Sequence, residues 1–216
     1  MKKKSHKTEF EIRISIDEDK LDHELSEKVS DFTLVSKYSE KVEDVLYERR
    51  GRSFKADNIG LRLRKKSSGV CKLTYKRFLG SDGSVAKFDE VTKKINKDKY
   101  DEIRNSDLSL VSSLVEKNDV SSSQLYELMV IDNKRKIFIY KKDDIKIKMF
   151  VEDVTYINNG NIAKDAMIEI ESMSSFNNKE MRSVERFAQK IINEYGGKIV
   201  NEGKNVRGVR FLGLSQ

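Results

Sequence analysis

Charged side chains recur at every second position in several stretches of this 216-residue sequence. In the segment TEFEIRISID, Glu9, Glu11 and Arg13 alternate with phenylalanine and isoleucine. In LRLR, Arg62 and Arg64 alternate with leucine in the same way. Successive side chains of a β-strand point to opposite faces, so each charged set must share one face. Grouped cations can bind phosphate oxygens, and grouped carboxylates can bind a hard divalent metal ion.

The alternation continues in three later stretches. The paired charges there are Lys72 and Lys76 in KLTYK, Lys146 and Lys148 in IKIK, and Glu169 and Glu171 in IEIE. Cations therefore pair on three strands and carboxylates on two. Taken singly, each run has the pattern of an ordinary solvated strand face. Taken together, they favour a barrel whose apolar faces pack on helices and whose charged faces share one interior.

The elements that would position these side chains are mostly strands. Alternating runs predict strands over 59–66 and 69–78, joined as a hairpin across SS, and over 85–95, with a further strand at 165–172. Helical spacing predicts a helix over 98–117, interrupted near 106–109, and an amphipathic helix from Asn177 or Asn178 to a stop at Gly196. The fold class that follows is α+β: a single antiparallel eight-stranded β-barrel with helices packed outside.

Three further segments carry predictions of their own. Residues 17–32 are polar with acidic residues at the start, which predicts a helix. Residues 125–157 contain three strand-like runs. Residues 203–216 are predicted to form a final surface strand, the alternative being that Arg207 or Arg210 contributes to the mouth of the barrel.

Composition narrows the class of protein. The formal net charge of +7 favours polyanionic partners, and part of the excess lies in residues 1–7, which we expect to be a disordered basic leader. The single cysteine, Cys71, excludes an internal disulfide and a thiolate metal cage. A reducing cytoplasm is the expected location. No apolar run approaches the roughly 20 residues of a membrane span, so we expect no membrane partner.

Four pieces of the sequence, in order, resemble signatures of the CYTH family, the triphosphate tunnel metalloenzymes. EFEIR resembles the E-x-E-x-K signature, and GLRLRKKSSGVCKLTYK resembles the hairpin of L-R-x-R and L-T-x-K. VEDV resembles the late D-x-V strand, and IEIE resembles the closing E-x-E. The resemblance covers about residues 8–172. It implies a barrel enclosing a triphosphate tunnel, and hence one tunnel domain over 8–216.

The resemblance also implies a role for each inward charge. One or two Mg²⁺ or Mn²⁺ ions would be held by Glu9, Glu11, Glu169 and Glu171, with Glu152 or Asp153 from VEDV. Phosphate oxygens would be bound by Arg62, Arg64, Lys72, Lys76, Arg135, Lys146 and Lys148. Catalysis would involve Glu11, Arg13 and Glu171. Strict alternation favours Glu152 as the inward residue of VEDV and residue type favours Asp153, so both stay in the candidate set.

This sequence departs from the family pattern in VEDV and at two further places. Arg13 stands where the family usually has lysine, which keeps the charge and changes the geometry. In AKFDEVTKKI, the family would have an arginine and a glutamate two residues apart. Lys87 with Asp89, or Glu90 in the opposite phase, is the nearest equivalent here.

The activity implied is metal-dependent hydrolysis of a triphosphate: inorganic triphosphate, thiamine triphosphate or a nucleoside triphosphate. Related tunnels support a class IV-type adenylate cyclase or an RNA 5′-triphosphatase acting on an RNA 5′ end, and a non-catalytic module binding polyphosphate or nucleotide is the alternative from another class. A plain basic β-domain that binds nucleic acid would show salt-sensitive binding without a metal requirement. The protein is expected to be a monomer or a homodimer. Substituting Glu11 with glutamine would separate an enzyme from a binding module.

Overall fold

The computed structural model describes residues 7–50, 53–82, 85–105, 107–118, 124–172 and 178–214. The strands are β1 (Lys7–Ser15), β2 (Lys28–Val29), β3 (Phe32–Arg49), β4 (Ile59–Lys66), β5 (Cys71–Asp82), β6 (Val85–Ile95), β7 (Leu125–Lys142), β8 (Ile145–Asn158), β9 (Asn161–Ser172) and β10 (Lys198–Ile199). The helices are α1 (Lys97–Arg104), α2 (Ser109–Glu116), α3 (Asn178–Tyr195) and α4 (Lys204–Phe211).

Eight of these strands form a closed antiparallel ring. The strand order is β1-β6-β5-β4-β3-β7-β8-β9, and β9 pairs with β1 to close it. The short strands β2 and β10 lie outside the ring, paired with β3 and β1. The predicted eight-stranded α+β barrel is confirmed. Closure leaves each long strand with hydrogen-bonding neighbours on both sides.

The outer faces of the strands carry the apolar side chains. On one side, Ile12 and Ile14 of β1 belong to a buried cluster with Phe187 of α3. On the other, Leu61 of β4 belongs to a cluster with Val111 of α2. Because alternate side chains point to opposite faces, the charged residues between these positions face the interior of the barrel.

Helix α4 closes one end of the barrel, here called the base. Val209 packs in a cluster with Leu46, Met129 and Tyr156, whose strands belong to the ring. A Cβ at Gly208 would lie 2.5 Å from Cδ1 of Tyr156 and 2.7 Å from Sδ of Met129. Only glycine therefore lets α4 approach the strands this closely.

Three sequence predictions are corrected by the fold. The predicted polar helix over 17–32 is wrong: the segment holds a 3₁₀ turn at Glu18–Lys20 and the strand β2. Its carbonyls bond to side chains of β7 instead of to a helix, since Tyr140 donates to the Ser26 carbonyl at 3.0 Å and Lys136 to the Leu21 carbonyl at 2.8 Å. The runs over 125–157 form two long strands, β7 and β8, and not three. The C-terminal segment forms helix α4 and not a surface strand.

The remaining helix predictions agree with the structure. Helices α1 and α2 replace the interrupted helix over 98–117, and α3 ends directly before Gly196, whose φ is +67°. None of the helices in the described ranges is long and apolar enough to cross a membrane. The predicted leader lies outside the described residues except for Lys7, which begins β1.

Candidate active site in the barrel interior

Strands β1 and β9 bring carboxylates and a cation to the same wall. Their register places Glu11 directly opposite Glu171 and Arg13 opposite Glu169. Glu11 forms an ion pair with Arg13 and accepts a hydrogen bond from Nζ of Lys76 at 3.0 Å. Nε of Arg13 lies 3.7 Å from Oε1 of Glu169. Carboxylates that would otherwise repel across the strand pair are thus compensated by two cations.

Strands β3 and β4 present the two arginines of LRLR together with an acidic partner. Arg64 donates two hydrogen bonds of 2.6 Å to the two carboxylate oxygens of Asp44, and Nη1 of Arg62 lies 3.8 Å from Oδ2 of Asp44. Burial would raise the pKa of Asp44, but the charges of Arg64 and Arg62 outweigh it and hold that pKa well below its usual range. Nearby, Nζ of Lys66 donates to Glu40 at 2.8 Å. Asp44 and Glu40 were missed by the sequence analysis, although they alternate in phase within EKVED.

The contacts of the VEDV segment show which of its two acidic residues faces the interior. Glu152 is fully buried in the interior, with one oxygen 2.7 Å from Nε of Arg135 and accepting from Nδ2 of Asn133 at 2.8 Å. Asp153 points outward and pairs with Lys134 at 2.9 Å. The prediction that included Asp153 among metal ligands in the tunnel is therefore corrected, because β8 runs through this segment without a bulge.

Helix α4 contributes two buried cations: Lys204, which the sequence analysis did not name, and Arg207, which it named only as an alternative contributor to the mouth of the barrel. Nζ of Lys204 lies 2.7 Å from Glu152 and 2.5 Å from Glu169, so it bridges the two carboxylates. Arg207 makes two hydrogen bonds to Asp165, of 2.5 and 2.6 Å. The signal was their spacing of three residues, which puts both on one face of a helix.

The remaining predicted residues lie at different depths. Lys72 and Lys148 share the inner face with Arg64, and Nζ of Lys148 lies 4.6 Å from the centre of the Phe150 ring. Lys146 alternates onto the same face of β8 and is exposed near the start of that strand. The side chain of Glu9 lies outside the described residues.

On β6, the side chains of Glu90 and Thr92 bond to each other, and Thr92 also bonds to Thr74 of β5. Thr74 lies between Lys72 and Lys76 on the inner phase of β5, so Glu90 faces inward. Lys87 and Asp89 alternate with it and lie on the outer face.

The carboxylates have the chemistry of a hard-cation site. Glu11 and Glu171 are directly opposed, and Glu169 lies on the same wall of β9. Oxygen ligands on adjacent strands suit Mg²⁺ or Mn²⁺. Among the described side chains, no three acidic, histidine or cysteine residues converge into a group that could hold a metal ion. The donor type and the register suit a divalent ion, but the carboxylates would have to move closer together to hold one, and Glu11 would have to leave Arg13 and Lys76.

Buried ion pairs should make the stability of the fold depend on pH. Burial would raise the pKa of Glu169, but Lys204 outweighs it and holds that pKa well below its usual range, as Arg64 does for Asp44. A carboxylate with a lowered folded-state pKa contributes stability that is fully present above its unfolded pKa, about 4, and lost as pH falls towards the folded value. We expect the free energy of unfolding in urea to fall between about pH 5 and about pH 2. Asp44→Asn should flatten this decline, and a wild-type stability that is constant over the range would contradict the prediction.

Comparisons with known proteins show the family and the fold of the chain. The model of the CYTH domain family matches residues 6–200. No curated protein matches the chain. A solved structure from Hippeastrum, HpAC1, is described as an adenylyl cyclase candidate with a dominant triphosphatase activity. It is 15% identical with a TM-score of 0.67, covering 94% of this chain and 95% of that one.

Two further solved structures share the fold. The candidate adenylate cyclase bh2851 of Bacillus halodurans is 16% identical with a TM-score of 0.57, covering 91% of this chain and 95% of that one. The protein PH1819 of Pyrococcus horikoshii OT3 is 22% identical with a TM-score of 0.54, covering 90% and 94%. The family model spans most of the chain, and the chain shares the fold of these structures. This chain belongs to the CYTH domain family.

Proposed function

We propose that this protein is a divalent-metal-dependent hydrolase that cleaves a triphosphate inside the barrel. The observation that carries the proposal is a cluster of like charges on β4 and β5. Burial lowers the pKa of Lys72, and the positive charges of Lys66 and Arg64 lower it further. Lys72 lies directly opposite Arg64 in the register. Asp44 and Glu40 compensate Arg64 and Lys66, and a polyanion would relieve the repulsion that remains at Lys72.

The cations of this wall would bind the phosphate chain. Arg62 and Arg64 present guanidinium groups, which suit two-point binding of phosphate oxygens, whereas Lys72 acts as a point charge. Arg62 is the readier donor, since it lies 3.8 Å from Asp44 and keeps about a quarter of its side chain exposed. Arg64 would exchange part of its two-point bond to Asp44 for phosphate. The phosphates of the substrate would thus replace part of the carboxylate contacts of these arginines.

The acidic wall would hold the reacting end of the substrate. One or two Mg²⁺ or Mn²⁺ ions held by Glu11, Glu169 and Glu171, together with Glu9, would polarise a phosphoryl oxygen and lower the pKa of a water molecule. Lys204 keeps Glu169 ionised, as its lowered pKa indicates. Arg13 lies between Glu11 and Glu169 and would keep these carboxylates oriented. The closed base would limit the access of bulk water.

We favour hydrolysis over cyclisation because of one similar structure. The Hippeastrum structure, which covers 94% of this chain, is described as having a dominant triphosphatase activity. A class IV-type adenylate cyclase remains the second candidate because both HpAC1 and the Bacillus halodurans protein are described as cyclase candidates. Both reactions would use the same phosphate-binding wall.

The test is phosphate release from inorganic tripolyphosphate by the purified protein. We expect turnover with Mg²⁺ or Mn²⁺ and none with EDTA, because the carboxylate wall needs a divalent ion to act on phosphorus. ATP and thiamine triphosphate are assayed in parallel, and cyclic AMP is measured in the ATP reaction. No phosphate release from any of the three with either metal contradicts the proposal. Cyclic AMP formed in place of phosphate would establish the cyclase instead.

A further inference from the structure

Two phenylalanines lie on the inner wall beside the acidic cluster. Phe78 of β5 is directly opposite Phe88 of β6, and their ring centroids are 5.5 Å apart. Nζ of Lys76 lies 4.1 Å from the centre of the Phe88 ring, and the guanidinium of Arg13 lies 5.1 Å from it. Lys76 and Arg13 both contact Glu11. A continuous set of contacts therefore joins the aromatic pair to the candidate site.

The two rings differ in exposure. Phe88 is 8% exposed, under the two cations, whereas Phe78 is 37% exposed. Phe78 is two residues from Lys76 and shares its face of β5, so it does not take part in the apolar packing on the outer face. The contacts of Phe88 with Lys76 and Arg13 account for its burial, whereas the exposed part of Phe78 has no such explanation.

The wall next to this pair lacks one side chain. Gly60 of β4 is directly opposite Lys76 in the register. A Cβ at Gly60 would come no nearer than 3.8 Å to any atom, the closest being Nδ2 of Asn205. The Lys76 carbonyl oxygen would lie 3.9 Å away, so a Cβ at Gly60 would make ordinary van der Waals contacts and glycine is not forced by crowding there, unlike at Gly208.

We propose that Phe78 is a stacking platform for the planar ring of an organic triphosphate, and that a substrate of this class is used in preference to inorganic triphosphate. The inference rests on the proposed function, since it needs the phosphates to extend from Lys76 towards Arg62 and Arg64. A ring stacked on Phe78 has Lys76 within reach of its first phosphate. Inorganic triphosphate has no ring and gains nothing from Phe78. Nucleobases and the rings of thiamine are both flat aromatic groups, and assays with ATP and with thiamine triphosphate distinguish between them.

The test compares Phe78→Ala with the wild type on ATP, thiamine triphosphate and tripolyphosphate. Stacking of a base on an aromatic side chain predicts a loss of about 10- to 100-fold in kcat/KM for the organic substrate that binds there. Tripolyphosphate should be hydrolysed at an unchanged rate. Phe78→Trp should retain or improve use of the organic substrate. Leu79→Ala is the matched control, since Leu79 is the adjacent residue on β5, is 51% exposed, and should leave all three rates unchanged.

Two measurements keep the inference separate from the proposed function. Equilibrium binding of ATP, thiamine triphosphate and tripolyphosphate in EDTA reports on stacking without turnover, so it remains informative if hydrolysis is absent. Phe78→Leu keeps the apolar volume and removes the flat ring, which covers the case in which Phe78→Ala unfolds. Equal losses for all three ligands, or no loss for any, would overturn the role of Phe78. A wild type that binds but does not hydrolyse would overturn the proposed function alone.

Discussion

Replacing Glu11 with glutamine is expected to reduce metal-dependent triphosphate hydrolysis by on the order of 100- to 1,000-fold, the effect of removing one preorganised charge from a reaction centre. Glu11 is buried, lies opposite Glu171, and contacts both Arg13 and Lys76. Glutamine preserves its size and removes the charge that a divalent ion requires. Binding of tripolyphosphate in EDTA should be unchanged or tighter, because a negative charge has been taken out of the interior. Calorimetry in EDTA measures the affinity for tripolyphosphate, and a phosphate-release assay on the same sample measures the rate of hydrolysis.

The control for this variant is Glu43→Gln. Glu43 lies on β3 and accepts a hydrogen bond from Tyr100 of α1, so it belongs to the outer face of the barrel. The same chemical change there should leave hydrolysis as it is. Thermal unfolding of both variants shows whether the fold is intact. If Glu11→Gln hydrolysed tripolyphosphate at the wild-type rate with the same metal dependence, Glu11 would not be a metal ligand.

Replacing Arg64 with methionine should have the largest effect on stability. Asp44 is buried and accepts both oxygen contacts from Arg64, so the single variant leaves a buried carboxylate without its main partner. Removing one member of a buried ion pair costs about 3–5 kcal/mol. The double variant Asp44→Asn with Arg64→Met removes both charges and should recover most of that loss. Urea denaturation of the two variants and the wild type measures the recovery.

Binding should follow a different pattern from stability. Both variants lack the guanidinium that we propose to bind phosphate, and a hydrogen bond to a charged group contributes about 1.5–3 kcal/mol. Tripolyphosphate affinity should therefore fall by roughly 10- to 100-fold in each, and the double variant should not regain it. Recovery of affinity together with stability would show that Arg64 acts only on the fold.

These expectations share one physical basis. Buried cations of the interior already have carboxylate partners, as Arg64 has Asp44 and Lys204 has Glu152. Buried ion pairs contribute little net stability, since desolvation offsets most of the attraction. They do hold long side chains in fixed positions, and a polyphosphate can then exchange with the carboxylates. The affinity of the interior for a polyphosphate therefore depends on the difference in free energy between the cation–phosphate pairs formed and the cation–carboxylate pairs lost.

Much of the site was predictable because of strand geometry. A period of two fixes which side chains share a face, so Glu11 with Arg13, Arg62 with Arg64, and Glu169 with Glu171 could be grouped from the sequence. Alternation also placed Glu152 on the inner phase of β8, which the structure shows. The preference for Asp153 came from residue type, and residue type does not override the pleat of an unbulged strand.

The sequence by itself determined the barrel class, the two faces of most strands and the charge of the interior, because these depend on local alternation and on the burial of apolar faces. The tertiary structure alone decided which charges meet. Lys204 reaches Glu152 and Glu169 only because Gly208 lets α4 close the base against Tyr156. Likewise, residues 17–32 do not form the predicted helix, because their carbonyls accept hydrogen bonds from Lys136 and Tyr140 of β7. Contacts between segments far apart in the sequence are set by closure of the ring, and local propensity contains no information about them.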